Sequence, residues 1–235
     1  MTEPVENDPA ADLKRQVGVA AAALVEDGMV VGLGTGSTAN YVIDSLGERW
    51  ATGLRFVAIP SSERSAARAK ALGIEIVGFG SHPVIDLNID GADEIQRGTL
   101  NLIKGLGGAL LREKIVAAAS NRMVVVADES KLVQRLGEHA AVPVEVSPFG
   151  WESTARQLGE MGARVAPRHD RMGRLFVTDG GNMILDCALG QLEDPAATEV
   201  AIRAIVGVFE CGLFIGRASL ALVAGKTGVE RYEVG

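Results

Sequence analysis

MVVGLGTGSTANYVIDSL, residues 29–46, is the stretch that decides the fold. Its apolar start, MVVGLG, reads as a strand, GTGSTA as a tight turn, and the spacing beyond as a helix reaching Trp50. A strand that passes through glycines directly into a helix opens a β-α-β layer. Gly32, Gly34 and Gly36 supply the G-x-G part of a dinucleotide fingerprint, and Ala39 stands where its third glycine falls. A nicotinamide cofactor also needs an acid at the end of the second strand to hold a ribose hydroxyl. That strand, LRFVAIP at 54–60, runs into Ser61 and Ser62 instead, which counts against NAD. Two readings of the turn remain. Successive N–H groups at 35–38 can form a nest for one phosphate, with the hydroxyls of Thr35, Ser37 and Thr38 as further donors, or the turn is a Ser/Thr-capped connection without a ligand.

Outward from this unit the same texture continues. Leu13, Val17, Ala20, Ala21 and Leu24 predict a helix over 12–27 stopped by Gly28, behind a frayed tail at residues 1 to about 8. Ser61 or Ser62 caps an Ala-rich helix that Gly73 ends. IEIVGF, VIDLNI and RMVVVAD (122–128) read as strands, and Ala109 to Ala119 as a helix. Continuous apolar strands between helices indicate a parallel sheet covered on both faces. After residue 135 the order becomes β-α-β-β-α. The expectation is therefore an α/β fold: a doubly wound, mostly parallel, Rossmann-like sheet from 1–135 plus 209–235, with a smaller α+β domain over 136–208. FECGLFIG and SLALVAG are expected to rejoin the first sheet.

Composition narrows the function classes. The 235 residues are 47% hydrophobic but only 4% aromatic, so Ala, Gly and Val build the layers. A net charge of -7 argues against a nucleic-acid partner, although a local basic pocket for an anionic metabolite is compatible with it. No apolar run approaches 18 residues and the acidic start has no signal-peptide core, so the expected location is the cytoplasm, with no membrane partner. Cys187 and Cys211 are expected reduced and buried. His82, His139 and His169 are scattered, so no His/Cys cluster has metal-ligand spacing.

Three segments carry candidate chemistry. DLNIDGADEI (86–95) brings Asp90, Gly91, Ala92 and Asp93 onto a loop at a strand end, where the carboxylates suit sugar hydroxyls, a magnesium ion or an ordinary acidic turn. LIKGLGGALLREKI (102–115) ends an apolar strand at Lys104, then offers Gly105, Gly107 and Gly108 for close backbone approach. Glu113 follows in the first turns of a helix, where the dipole favours its ionised form, as a general base requires; a solvated glutamate among Arg112 and Lys114 is the alternative. Lys104 offers a fixed positive charge for a developing oxyanion. Asp128, Ser130 and Lys131 end another strand, and Lys131 can face the same sheet edge.

Taken in order, VGLGTGSTA (31–39), DGADEI (90–95), IKGLGGALLREKI (103–115), ADESKLV (127–133), PVEV (143–146) and TDGGNMILD (178–186) resemble the A-type ribose-5-phosphate isomerase family across almost the whole chain. The resemblance implies an aldose-ketose isomerase of the pentose phosphate pathway that interconverts ribose 5-phosphate and ribulose 5-phosphate without metal or cofactor. It implies that Thr35, Gly36, Ser37 and Thr38 bind the phosphate, and that Asp90, Gly91, Ala92 and Asp93 contact the sugar. It further implies that Lys104, Gly105, Leu106 and Gly107 cradle the ligand, that Glu113 is the base and that Lys131 is a further contact. Lys14 in the first helix approaches the phosphate. Lys104, Asp90 and Asp93 share the catalytic roles, and a homodimer or homotetramer is implied. Leu106 departs from the glycine, or sometimes arginine, usual there, so either its φ is ordinary and its side chain points away, or the loop is reshaped. The rivals are an aminosugar-phosphate deaminase, expected to carry a His near its base, a sugar-phosphate sensor, expected beside a DNA-binding helix-turn-helix, and a coenzyme-A transferase with a Glu nucleophile.

Overall fold

A computed structural model describes residues 10–234. The tail expected at residues 1 to about 8 lies outside them. In chain order the elements are α1 (Ala11–Ala22), β1 (Val30–Leu33), α2 (Ser37–Ala51), β2 (Val57–Pro60), α3 (Glu63–Ala71), β3 (Glu75–Ile76), β4 (Leu87–Gly91), β5 (Glu94–Gln96) and β6 (Leu102–Ile103). There follow α4 (Leu110–Ala118), β7 (Met123–Asp128), a 3₁₀ turn at Glu129–Lys131, β8 (Leu132–Val133), β9 (Val142–Val146), α5 (Trp151–Glu160), β10 (Arg164–Pro167) and β11 (Met183–Ala188). The chain ends through α6 (Pro195–Arg203), β12 (Val208–Cys211), β13 (Leu213–Phe214), β14 (Leu220–Gly225) and β15 (Gly228–Glu233).

Seven strands form the main sheet in the order β15-β14-β7-β4-β1-β2-β3, parallel except for β15. The alternation of side chains along β7 shows why its sequence is apolar throughout. Val124 and Val126 pack with α1 and α2 on one face, while Met123, Val125 and Ala127 pack on the other with Ala117 of α4 and Phe214. From β1 the chain winds outward to β2 and β3 on one side and to β4, β7 and β14 on the other. The order therefore reverses between β1 and β4, and such a switch point leaves a crevice beyond the carboxyl ends of the strands. Glycine opens that crevice: a Cβ on Gly34 would lie 2.1 Å from Asp90 Oδ1, so the two strand ends approach this closely only without a side chain there.

The antiparallel sheet β10-β11-β9-β12 carries α5 and α6 and has a core of Val142, Val144, Leu158, Leu185, Cys187 and Ile202. FECGLFIG does not rejoin the main sheet as expected. Its first residues form β12 on the edge of this antiparallel sheet, beside β9, and Leu213–Phe214 pairs with β6. Only SLALVAG, as β14, enters the main sheet. A third sheet, β13-β6-β5-β8, lies between the two larger ones in the chain's path; its strands of two or three residues are too short to show a period. The first helix also ends earlier than its apolar spacing predicts, at Ala22 rather than residue 27. Leu24 and Val25 turn on three-residue hydrogen bonds, and the Arg49 guanidinium from α2 takes the Ala22 and Val25 carbonyls. No helix among the described residues is long and apolar enough to cross a membrane.

Candidate active site

A cleft of about 170 Å³ opens at the switch point. One end is the N-terminus of α2. Gly36, with φ +121°, occupies the N-cap and offers no side chain, so the first-turn N–H groups have no cap acceptor. Asp90 takes the Thr35 N–H at 3.0 Å, and Lys14 donates to Ser37 Oγ at 2.9 Å. Thr35 Oγ1 turns inward to a buried hydroxyl cluster, 2.8 Å from both Ser61 Oγ and Ser62 Oγ. With its N–H on Asp90 and its hydroxyl in this cluster, both donors of Thr35 have protein partners. Lys131, carried on the 3₁₀ turn that Asp128 caps through the Ser130 N–H at 3.0 Å, lines the cleft as well.

The inner end is ionic and almost dry. Asp90, Lys104 and Glu113 are each 2% exposed or less. Lys104 Nζ donates to the Gly91 carbonyl at 2.7 Å and lies 3.0 Å from Asp90 Oδ2 and 3.3 Å from Glu113 Oε2, above the Phe214 ring. Those two carboxylate oxygens receive no directed hydrogen bond. Asp90 Oδ1 is held by the N–H groups of Thr35 and Gly91. Asp93 Oδ2 accepts the Leu106 N–H at 2.9 Å.

Burial dominates the proton affinities. It drives Glu113 from its ordinary 4.5 up to about 8, against the nearby Lys104, with the Asp90 charge adding to the rise. The helix-dipole expectation of a readily ionised Glu113 is thus corrected: a fully buried carboxyl beside a second carboxylate pays more in lost hydration than a helix end returns. Burial pulls the Lys104 ammonium down, but Asp90 and Glu113 outweigh it and hold it above its ordinary value, so it stays charged. Burial likewise raises Asp93, opposed by the Leu106 N–H and by Lys104, Lys131 and Arg168.

Of the residues singled out from the sequence, Thr35, Gly36, Ser37, Thr38, Gly91 and Ala92 line the cleft, as do Asp93, Lys104, Gly105, Gly107, Glu113 and Lys131. Asp90 and Leu106 do not. Asp90 is buried, with Oδ2 3.0 Å from Lys104 Nζ, an ion pair at the back of the cleft wall. Leu106 has ordinary φ and a side chain 47% exposed, which settles the alternative left open by its departure from glycine. Asp128, noted at its strand end but given no site role, also lines the cleft, and its side chain caps the turn that carries Lys131. Arg168 was missed. It lies 62 residues from Leu106 in sequence, and its guanidinium reaches the carbonyls of Gly105 at 2.7 Å and Leu106 at 3.0 Å. The one group of three potential metal ligands among the described residues, Glu199, Glu210 and Cys211, lies away from the cleft; Lys114 Nζ sits 2.8 Å from Glu199 and 3.0 Å from Glu210.

Fold and cleft together define an α/β enzyme with its ionisable groups at the switch point of a doubly wound sheet. Comparison with known proteins makes this specific. The family Ribose 5-phosphate isomerase A (phosphoriboisomerase A) matches residues 57–228. The ribose-5-phosphate isomerase A of Gluconobacter oxydans is 58% identical over 94% of this chain and 96% of its own, and that of Gloeobacter violaceus 55% identical over 93% and 94%. The structure of ribose 5-phosphate isomerase A from Methanocaldococcus jannaschii superposes with a TM-score of 0.91 at 41% identity, covering 95% of this chain and 99% of that one. A D-ribose-5-phosphate isomerase solved in complex with phospho-erythronic acid gives 0.91 at 36% identity, over 94% and 98%. The chain belongs to the ribose 5-phosphate isomerase A family.

Proposed function

We propose that this chain interconverts D-ribose 5-phosphate and D-ribulose 5-phosphate through a cis-enediolate, with Glu113 as the general base. The observation that carries the mechanism is Glu113 Oε2, buried on the cleft wall with the charged Lys104 Nζ 3.3 Å away and no other donor among the described residues. The 5-phosphate binds the N–H groups at the start of α2, with Lys14, Lys131 and the Ser37 and Thr38 hydroxyls completing its shell. That remote contact holds C1 and C2 of the open-chain sugar at the inner end. Glu113 takes the C2 proton and returns it to C1, while the O2 hydroxyl proton passes to O1. Lys104, kept charged by Asp90, and the Gly105 and Gly107 N–H groups stabilise the negative oxygen of the intermediate. Asp93, on the wall with a raised proton affinity, assists ring opening; Asp90 acts through Lys104. Phospho-erythronic acid, the ligand of a related isomerase, carries a carboxylate that mimics a planar, negatively charged enediolate.

No metal or cofactor takes part in this mechanism. The reading places the enzyme in the cytoplasm, where thiols such as Cys187 and Cys211 stay reduced, and a homodimer or homotetramer accounts for exposed apolar residues such as Phe149, 95% exposed, and Val206, 85% exposed. We also place the boundary of the small domain at Cys211, since β12 pairs only with β9. The test is a coupled assay of ribulose 5-phosphate formation from ribose 5-phosphate; lack of turnover by the pure protein overturns the proposal.

A further inference from the structure

The loop between Lys104 and α4 is clamped from outside the cleft. Arg168, just beyond β10, donates from Nη1 to the carbonyls of both Gly105 and Leu106. Its other edge lies against Asp186 of β11, with Nε 3.0 Å from Oδ2 and Nη2 paired to Oδ1. Two neighbouring strands of the antiparallel sheet thus hold the guanidinium in one plane, and Arg168 and Asp186 are both largely buried. The Gly105–Leu106 peptide is pinned at both ends, its carbonyl on Arg168 and its N–H on Asp93. In a trans peptide the carbonyl and N–H point in opposite directions. Holding the Leu106 carbonyl on Arg168 therefore turns the Gly107 N–H away from Arg168. Gly107 lines the cleft, and its N–H has no acceptor among the described residues. Arg64 holds the next carbonyl, that of Gly107, at 2.8 Å.

We propose that Arg168, seated on Asp186, is a positioning residue for the isomerisation, fixing the Leu106–Gly107 peptide so that its N–H meets the enediolate oxygen. The proposal rests on the isomerase reading above. It gives the antiparallel domain a part in the chemistry, although it supplies none of the groups assigned to the substrate.

The distinction from a merely structural arginine lies in how the kinetic constants divide. Arg168→Met should lower kcat about 10²-fold, the scale of a displacement near 1 Å at a reacting centre. The inhibition constant of inorganic phosphate should not change, because the start of α2 is untouched. Arg168→Lys, which can reach a carbonyl but cannot span both carbonyls and Asp186, should fall between, and Asp186→Asn should lower kcat in the same direction. Methylguanidinium should restore part of the kcat lost in Arg168→Met. Wild-type protein assayed in parallel separates the two ideas, since an inactive wild type overturns the isomerase reading itself. With an active wild type, the positioning role is overturned by near-normal kcat in Arg168→Met. It is also overturned if kcat and phosphate affinity fall together in the Lys and Asn variants. Should Arg168→Met fail to fold, those two variants decide the question by the same split.

Discussion

Glu113→Gln keeps the shape of a buried side chain and removes its one basic oxygen. In the wild type, a proton affinity near pH 8 leaves roughly one molecule in ten ionised at pH 7 in the free enzyme. The kcat/KM of the wild type should therefore rise about tenfold from pH 7 to a plateau above pH 8 to 9, because this ratio reports the free enzyme's base. Loss of a general base costs on the order of 10²–10⁴-fold, or about 3 to 5 kcal/mol of barrier. Glu113→Gln should lie that far below the plateau and lose the acid limb centred near 8. Binding of inorganic phosphate at the start of α2 should be retained, since no contact there involves Glu113. The assay follows ribulose 5-phosphate formation and uptake of deuterium at C2 in deuterated water, from pH 5.5 to 9.5. Turnover and label uptake must fall together, because one carboxylate performs both. A variant that retains near-normal turnover, or that keeps the same acid limb, refutes the reasoning, and Asp93 becomes the base.

The same carboxyl makes stability depend on pH. Its folded affinity lies above the ordinary 4.5, so the folded state binds the extra proton and stability should decline as pH rises from about 4.5 to about 8; urea melts of Glu113→Gln should show a flatter dependence across that window. Lys131→Ala should weaken ribose 5-phosphate far more than free ribose, and equal weakening in a competition assay would assign Lys131 to the sugar or to the fold. Exhaustive chelation should leave turnover unchanged; a loss restored by magnesium would convert Asp90 and Asp93 into metal ligands.

Local pattern carried much of this architecture. The strand, glycine turn and helix of residues 29–46 were legible because Gly34 and Gly36 are demanded by close approach and by positive φ. The apolar run of β7 announced a strand buried on two faces. Asp93, Lys104 and Glu113 could be picked out because they punctuate strand and helix ends. What stayed hidden depends on distance along the chain. Ser61, Ser62 and Ser65 draw the Thr35 hydroxyl inward, and Asp90 pairs with Lys104, through contacts that no local spacing encodes. The direction of the Glu113 shift was misread for a related reason: the helix end is visible in sequence, whereas its complete burial is a property of the assembled layers. Strands of two residues, such as β6 and β13, leave no period to detect.

The placement of Lys104 has a consequence for synthesis. Its N–H donates to the Gly212 carbonyl, and a Cβ at 212 would lie 2.1 Å from the Lys104 carbonyl. β14, which covers the outer edge of β7, arrives later still. A nascent chain that has emerged through residue 135 thus already carries every side chain assigned to the chemistry, yet lacks the Gly212 carbonyl for the Lys104 N–H and leaves β7 with one edge bare. Such an edge recruits strands from other chains until its own partner is made. Translation that pauses before Gly212 therefore leaves the reactive side chains on a chain that still lacks the partner of the Lys104 N–H and exposes the outer edge of β7.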